Sequence, residues 1–116
     1  MHLENQTVLV TGSGRNIGRA TILAYAREGA NVVINAHTSR DQVDAVVREA
    51  REIGVKAIGI LADISDPYQV QGMANEVLKT FGNVDILVNN AVVREARPFT
   101  EIDFAEWRRI IGVDLD

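Results

Sequence analysis

The strongest constraint on the fold lies at residues 8–20. The apolar run Val8-Leu9-Val10 stops at a turn holding Gly12, Gly14 and Gly18, and a helical pattern starts directly behind it. An unbroken apolar run this short fits a strand buried on both faces of a parallel sheet. Glycine lets the backbone turn left-handed and approach a ligand closely. The helix that follows aims its free N–H groups and positive dipole end at an anion. Turns collect glycines for other reasons, so the order strand, turn, helix carries the phosphate-site reading.

The same alternation repeats downstream. The first helix places Ile17, Ala20, Leu23 and Ala24 on one side and ends near Glu28-Gly29. Asn31 to Asn35 reads as a second buried strand. A helix follows from about Asp41 to Ile53, with Val43, Val46, Val47 and Ala50 at helical spacing. Ser39 and Gln42 have capping-box spacing, and Gly54 is a natural stop. Val55 to Leu61 makes a third strand, weakened by Gly59. Asp66-Pro67 opens a helix whose apolar side is Val70, Met73, Ala74, Val77 and Phe81, closed by Gly82. Val84 to Val88 is a fourth strand. Asp103 to Asp116 reads as a fourth helix, with Phe104, Trp107, Ile110 and Ile111 clustered and Asp103 and Glu106 as its cap pair.

Such alternation predicts an α/β fold: a doubly wound, Rossmann-like parallel sheet with helices on both faces and strand order 3-2-1-4. At 116 residues the chain forms a single domain. In that order strands one and four are neighbours, and a crevice opens where the loops after them diverge. The loops 11–18 and 89–94 therefore meet at one site.

Gly12-x-Gly14-x-x-x-Gly18 is one residue longer than the common G-x-G-x-x-G dinucleotide fingerprint. With Thr11 in front it resembles the Thr-Gly-x-x-x-Gly-x-Gly motif of the short-chain dehydrogenases/reductases, with Asn16 at the middle glycine. Asn89-Asn90-Ala91-Val92 resembles that family's Asn-Asn-Ala-Gly motif, with Val92 at the glycine. Val113-Asp114-Leu115 resembles the helix segment that bears a catalytic asparagine, with Asp114 in its place. An ionised aspartate donates no hydrogen bond, so a proton relay through it would change.

The resemblance spans essentially all 116 residues but only the cofactor-binding half of the family's fold. It implies the N-terminal half of an oxidoreductase that moves hydride between NAD(P)(H) and a small carbonyl or alcohol substrate. Gly12, Ser13, Gly14, Arg15, Asn16, Ile17 and Gly18 would hold the pyrophosphate and nearby ribose. His37 and Thr38 would lie at the adenosine ribose, and Asp63, Ile64, Asn90, Ala91 and Val92 would line the crevice. After the second strand no acid appears until Asp41, whereas Arg15, Arg40, Thr38 and Ser39 suit a 2′-phosphate, which favours NADP(H) over NAD(H). The bland readings are solvated charges at Arg15 and Arg40, a loop residue at His37, a turn residue at Asp63, and strand-end capping by Asn89 and Asn90.

The family's serine and Tyr-x-x-x-Lys pair are not in this stretch: Tyr25 and Tyr68 are followed four residues on by Gly29 and Gly72. The chain is thus expected to be truncated, inactive alone, and part of a homo-oligomer (dimer or tetramer) when full length. The competing expectation is a non-catalytic dinucleotide-binding or interaction module, which the residues at Asn16, Val92 and Asp114 favour. A flavodoxin-like or receiver domain needs a flavin loop or acidic pocket that Thr11-Gly12-Ser13 lacks.

A net charge of −4 argues against a nucleic-acid partner, and no run approaches the ~18 apolar residues of a membrane span. With no cysteine and two isolated histidines, no metal site is expected. The cysteine-free composition fits a cytoplasmic protein.

Overall fold

The structure, a computed structural model, describes residues 3–90. The expected helix over 103–116, with Trp107 and Asp114, lies outside the described residues, as do Ala91 and Val92. Strands β1 (Thr7–Val10), β2 (Asn31–Ala36), β3 (Ala57–Leu61) and β4 (Ile86–Val88) alternate with helices α1 (Asn16–Arg27), α2 (Arg40–Ile53) and α3 (Pro67–Phe81). The sheet is parallel in the order β3-β2-β1-β4. Register sets Leu9 of β1 between Val33 of β2 and Leu87 of β4.

Side-chain alternation along each strand feeds two cores. Val8, Val10, Val32 and Ile34 pack with α1 and α2 on one face, while Leu9, Val33 and Ile60 pack with α3 on the other. Strands clothed on both faces explain why β1 and β2 read as unbroken apolar runs. The third and fourth strands are shorter than expected. Val55 and Lys56 precede β3, and Val84 is buried ahead of β4 in the α3 core.

The inward side of α1 differs from the one expected. Gly18, Ile22, Leu23 and Ala26 are buried, whereas Ile17, Ala20 and Ala24 are exposed. The cause is steric. A Cβ at Gly18 would fall under 3.0 Å from the Gly12 carbonyl oxygen, so Gly18 sits at the tightest point of the turn. That contact fixes the helix's rotation, and residues 18, 22 and 26 follow at i, i+4 and i+8. Gly59, expected to weaken β3, has a positive role. A Cβ there would run into Val43, so its absence lets α2 lie close on the sheet.

Helix ends follow the sequence closely. Ser39 accepts from the Gln42 N–H at 3.4 Å to cap α2, and Gly54 closes that helix at φ 113°. Asp66 accepts from the Tyr68 N–H at 2.9 Å to cap α3, with Pro67 in its first turn and Gly82 ending it at φ 80°. The start of α1 is different: Arg15 makes no side-chain cap hydrogen bond. First-turn N–H groups without a partner in their own helix need another acceptor.

Candidate functional site

The glycine turn is held from below by buried polar groups. Gly12 is left-handed at φ 63°. The Ser13 hydroxyl donates to the Val10 carbonyl at 2.6 Å and accepts from the Asn35 N–H at 2.9 Å, while the Ser13 N–H donates to the Asn35 carbonyl at 2.7 Å. Asn35 Oδ1 accepts from the Gly12 N–H at 3.1 Å, and its amide nitrogen donates to the Ile60 carbonyl at 3.2 Å. Asn35 is 1% exposed, so its amide requires these partners, and they lock the turn to the ends of β2 and β3.

From the β4 side, Asn90 donates from its backbone N–H to the Thr11 hydroxyl at 3.0 Å and from its amide to the Gly12 carbonyl at 3.1 Å. A Cβ at Gly18 would collide with that same amide. Asn90, Gly12 and Gly18 are therefore one packed unit joining β4, the turn and α1. Asn89 differs from its neighbour, since its Oδ1 is buried with no hydrogen-bond partner among the described residues.

Asn16 stands at φ 56°, in the left-handed region that asparagine enters more easily than most residues. It thereby keeps the backbone path that a glycine would give. Arg15 and Asn16 are exposed, and Ile17 is 75% exposed at the mouth of the turn.

Above the strand ends lies a crevice of about 860 Å³. Gly12, Gly14, Arg15, Asn16, Ile17 and Asn90 line it from the glycine turn, the start of α1 and the segment after β4, and His37, Thr38, Asp63 and Ile64 from the segments after β2 and β3. Every cofactor-binding residue expected from the sequence within 3–90 lines it, except Ser13 and Gly18, which are buried beneath as supports. Arg40 is not among the lining residues. Its guanidinium lies 3.5 Å from Asp44 and donates to the Gly59 carbonyl at 3.4 Å, on the outer edge of the sheet. Arg15 makes no ion pair among the described residues.

Between the segments that follow β2 and β3, His37 Nε2 lies 3.5 Å from Asp63 Oδ2. Asp63 Oδ1 accepts from the Ser65 hydroxyl at 2.6 Å and the Ser65 N–H at 2.9 Å. These bonds, hydroxyl first, hold the carboxyl below the usual carboxylate range. They outweigh the desolvation that pushes the other way, and His37 adds a further pull downward. Sequence reasoning passed over Asn35, Gln42 and Ser65. Asn35 was within reach, since an amide ending an apolar strand faces the same need for partners as Asn89 and Asn90.

A doubly wound sheet with a glycine turn and crevice at its switch point defines a nucleotide-binding α/β domain. Residues 6–116 match the short chain dehydrogenase family, and the chain belongs to it. It is 39% identical over 111 residues to a 3-oxoacyl-acyl-carrier-protein reductase of Staphylococcus epidermidis, covering 96% of this chain and 46% of that protein.

Among solved structures it resembles a short chain dehydrogenase from Burkholderia cenocepacia in complex with NADP. The TM-score is 0.77 at 36% identity, covering 91% of this chain and 43% of that one. An NAD⁺-bound xylitol dehydrogenase also aligns with a TM-score of 0.77, at 31% identity and 95% and 42% coverage. The chain thus spans about half the length of the relatives it matches.

Proposed function

We propose that the crevice binds NADP(H) in preference to NAD(H), and that the chain is the cofactor-binding portion of an oxidoreductase acting on a carbonyl or alcohol. The observation that carries this reading is the start of α1. Its N–H groups lack a side-chain cap, no acidic residue sits in its first turn, and Arg15 faces the same crevice. Such a helix end attracts a pyrophosphate, and a guanidinium suits a phosphate monoester geometrically.

The residues fit the cofactor. Gly12 and Gly14 present bare backbone to the crevice, Ile17 offers an apolar face, and Asn35 and Asn90 hold the turn in place. When bound, the nicotinamide supplies or accepts a hydride. The residues at hand bind and orient the cofactor, and Asp63 offers an acceptor near the adenosine end. Asn16 gives little support to a non-catalytic module, because its left-handed backbone is compatible with an intact turn.

Fluorescence titration with NADPH and NADH tests the reading. Tighter NADPH binding is expected, and Arg15→Gln should weaken NADPH by about ten-fold while leaving NADH nearly unchanged. Equal loss for both cofactors would remove Arg15 from the 2′-phosphate, and no binding of either would end the proposal.

A further inference from the structure

Strand β3 lies at one end of the sheet and, among the described residues, has β2 as its strand neighbour and none beyond it. In a parallel ladder, successive residues aim their backbone N–H and C=O groups at opposite sides. The Val32 N–H donates to the Lys56 carbonyl and the Ala62 N–H to the Ala36 carbonyl, both at 3.0 Å, so residues 56, 58, 60 and 62 face β2. Residues 57, 59 and 61 therefore face outward. A row of open backbone groups of this kind is a template for another strand.

Arginines of α2 take two of those outward carbonyls. Arg51 Nη2 donates to the Ala57 carbonyl at 2.9 Å, and Arg40 Nη1 to the Gly59 carbonyl at 3.4 Å. We infer that Arg40 and Arg51 guard the β3 edge against pairing with a second copy of this chain. The guard is independent of what the crevice binds.

The helix is built to deliver both side chains. Arg40 opens α2 and Arg51 stands in its last turn, about three full turns further on, so both leave the same side of the helix. Asp44 and Val47 lie between them on that side. Asp44 is 3.5 Å from the Arg40 guanidinium, and Val47 is among the neighbours that a Cβ at Gly59 would meet. The bare Gly59 thus lets this side of α2 lie close over the strand whose edge the arginines reach. A strand pairing here would need the Ala57 and Gly59 carbonyls as acceptors and would first displace both guanidiniums from charge-assisted hydrogen bonds. A second copy approaching by the same edge brings an equal pair of cations, and like charges set opposite one another repel.

Sedimentation velocity over a range of concentrations tests this on the full chain by comparing Arg51→Leu with Arg48→Leu. Arg48 is exposed on the same helix and, among the described residues, in no ion pair, so the two variants lose the same charge and gain the same apolar side chain. Arg51→Leu should associate at a concentration about ten-fold lower than Arg48→Leu, the effect of one lost hydrogen bond to a charged group. Arg40→Leu, which removes the longer bond, should act less, and the double variant most. Arg51→Lys keeps a cation at the edge and should stay near wild type.

Amide hydrogen exchange reads where the copies meet. In associated Arg51→Leu the outward Gly59 and Leu61 N–H groups should gain at least about ten-fold protection over the dilute protein. Urea melts keep this apart from lost stability, because a purely structural tie between α2 and β3 predicts an earlier melt with no new protection at β3. If Arg51→Leu is unfolded at the assay temperature, Arg40→Leu carries the same comparison. Equal association of the edge variant and Arg48→Leu, or association that leaves Gly59 and Leu61 exchanging as before, overturns the inference.

Discussion

At Gly18 and at Gly59 a Cβ would come within 3.0 Å of a neighbour, but the two obstacles differ in kind. At Gly18 the neighbours are the Gly12 carbonyl and the Asn90 amide, which are hydrogen-bonded to each other at 3.1 Å. At Gly59 the neighbour is a methyl group of Val43, on a helix packed against the sheet. The site is assembled from backbone that has nowhere to move. The core is assembled from side chains that can turn or be trimmed. Similar crowding should therefore affect function and stability together in one place, and stability alone in the other.

Gly18→Ala is the sharpest test. It should cost about 3 kcal/mol in urea unfolding and weaken NADPH binding at least about ten-fold, because the turn must shift to make room. Gly59→Ala should cost about 2 kcal/mol with cofactor affinity unchanged. Adding Val43→Ala should reveal a favourable coupling of about 1 kcal/mol in a double-mutant cycle, since the clashing methyl is gone. Additive losses would break the contrast between yielding and unyielding neighbours.

Asn16 gives a smaller test on the same turn. Asn16→Ala should cost about 1 kcal/mol for its left-handed backbone, and Asn16→Gly should be close to neutral, both read by thermal or urea melts.

The smallest effect concerns acid. Hydrogen bonds from Ser65 hold the folded Asp63 carboxyl below the ordinary carboxylate range, so its stabilisation is fully present above that range. It is lost as pH falls through the lower folded value. Ser65→Ala removes the leading cause and should slightly flatten the acid limb of the stability profile below about pH 4, with no change at pH 7. The group is partly exposed, so the change should be small.

Much of the fold was legible because its signals are local. Apolar runs, helical spacing, the Ser39 and Asp66 caps and the glycine stops at Gly54 and Gly82 all lie within a few residues of what they specify. The crevice was legible for a related reason, since its walls are loops that follow strands whose order the alternation implies. The expected inward side of α1 holds for Leu23 but not for Ile17, Ala20 and Ala24, because these satisfy a helical period as well as Ile22 and Ala26 do. Periodicity does not say which side of the helix meets the Gly12 carbonyl; only packing does. Arg40 suits a 2′-phosphate by its place after β2, but it does not line the crevice, and its guanidinium lies 3.5 Å from Asp44, one helical turn along.

By itself the sequence determined the order of elements, the parallel sheet, the left-handed turn residues and the family, since these depend on backbone propensity and pattern along the chain. Tertiary structure alone decided that Gly18 fixes the rotation of α1, that Gly59 admits α2, that Asn35 braces the turn, and that His37 meets Asp63. Those outcomes depend on distances between segments remote in sequence, which close packing sets and local pattern does not encode.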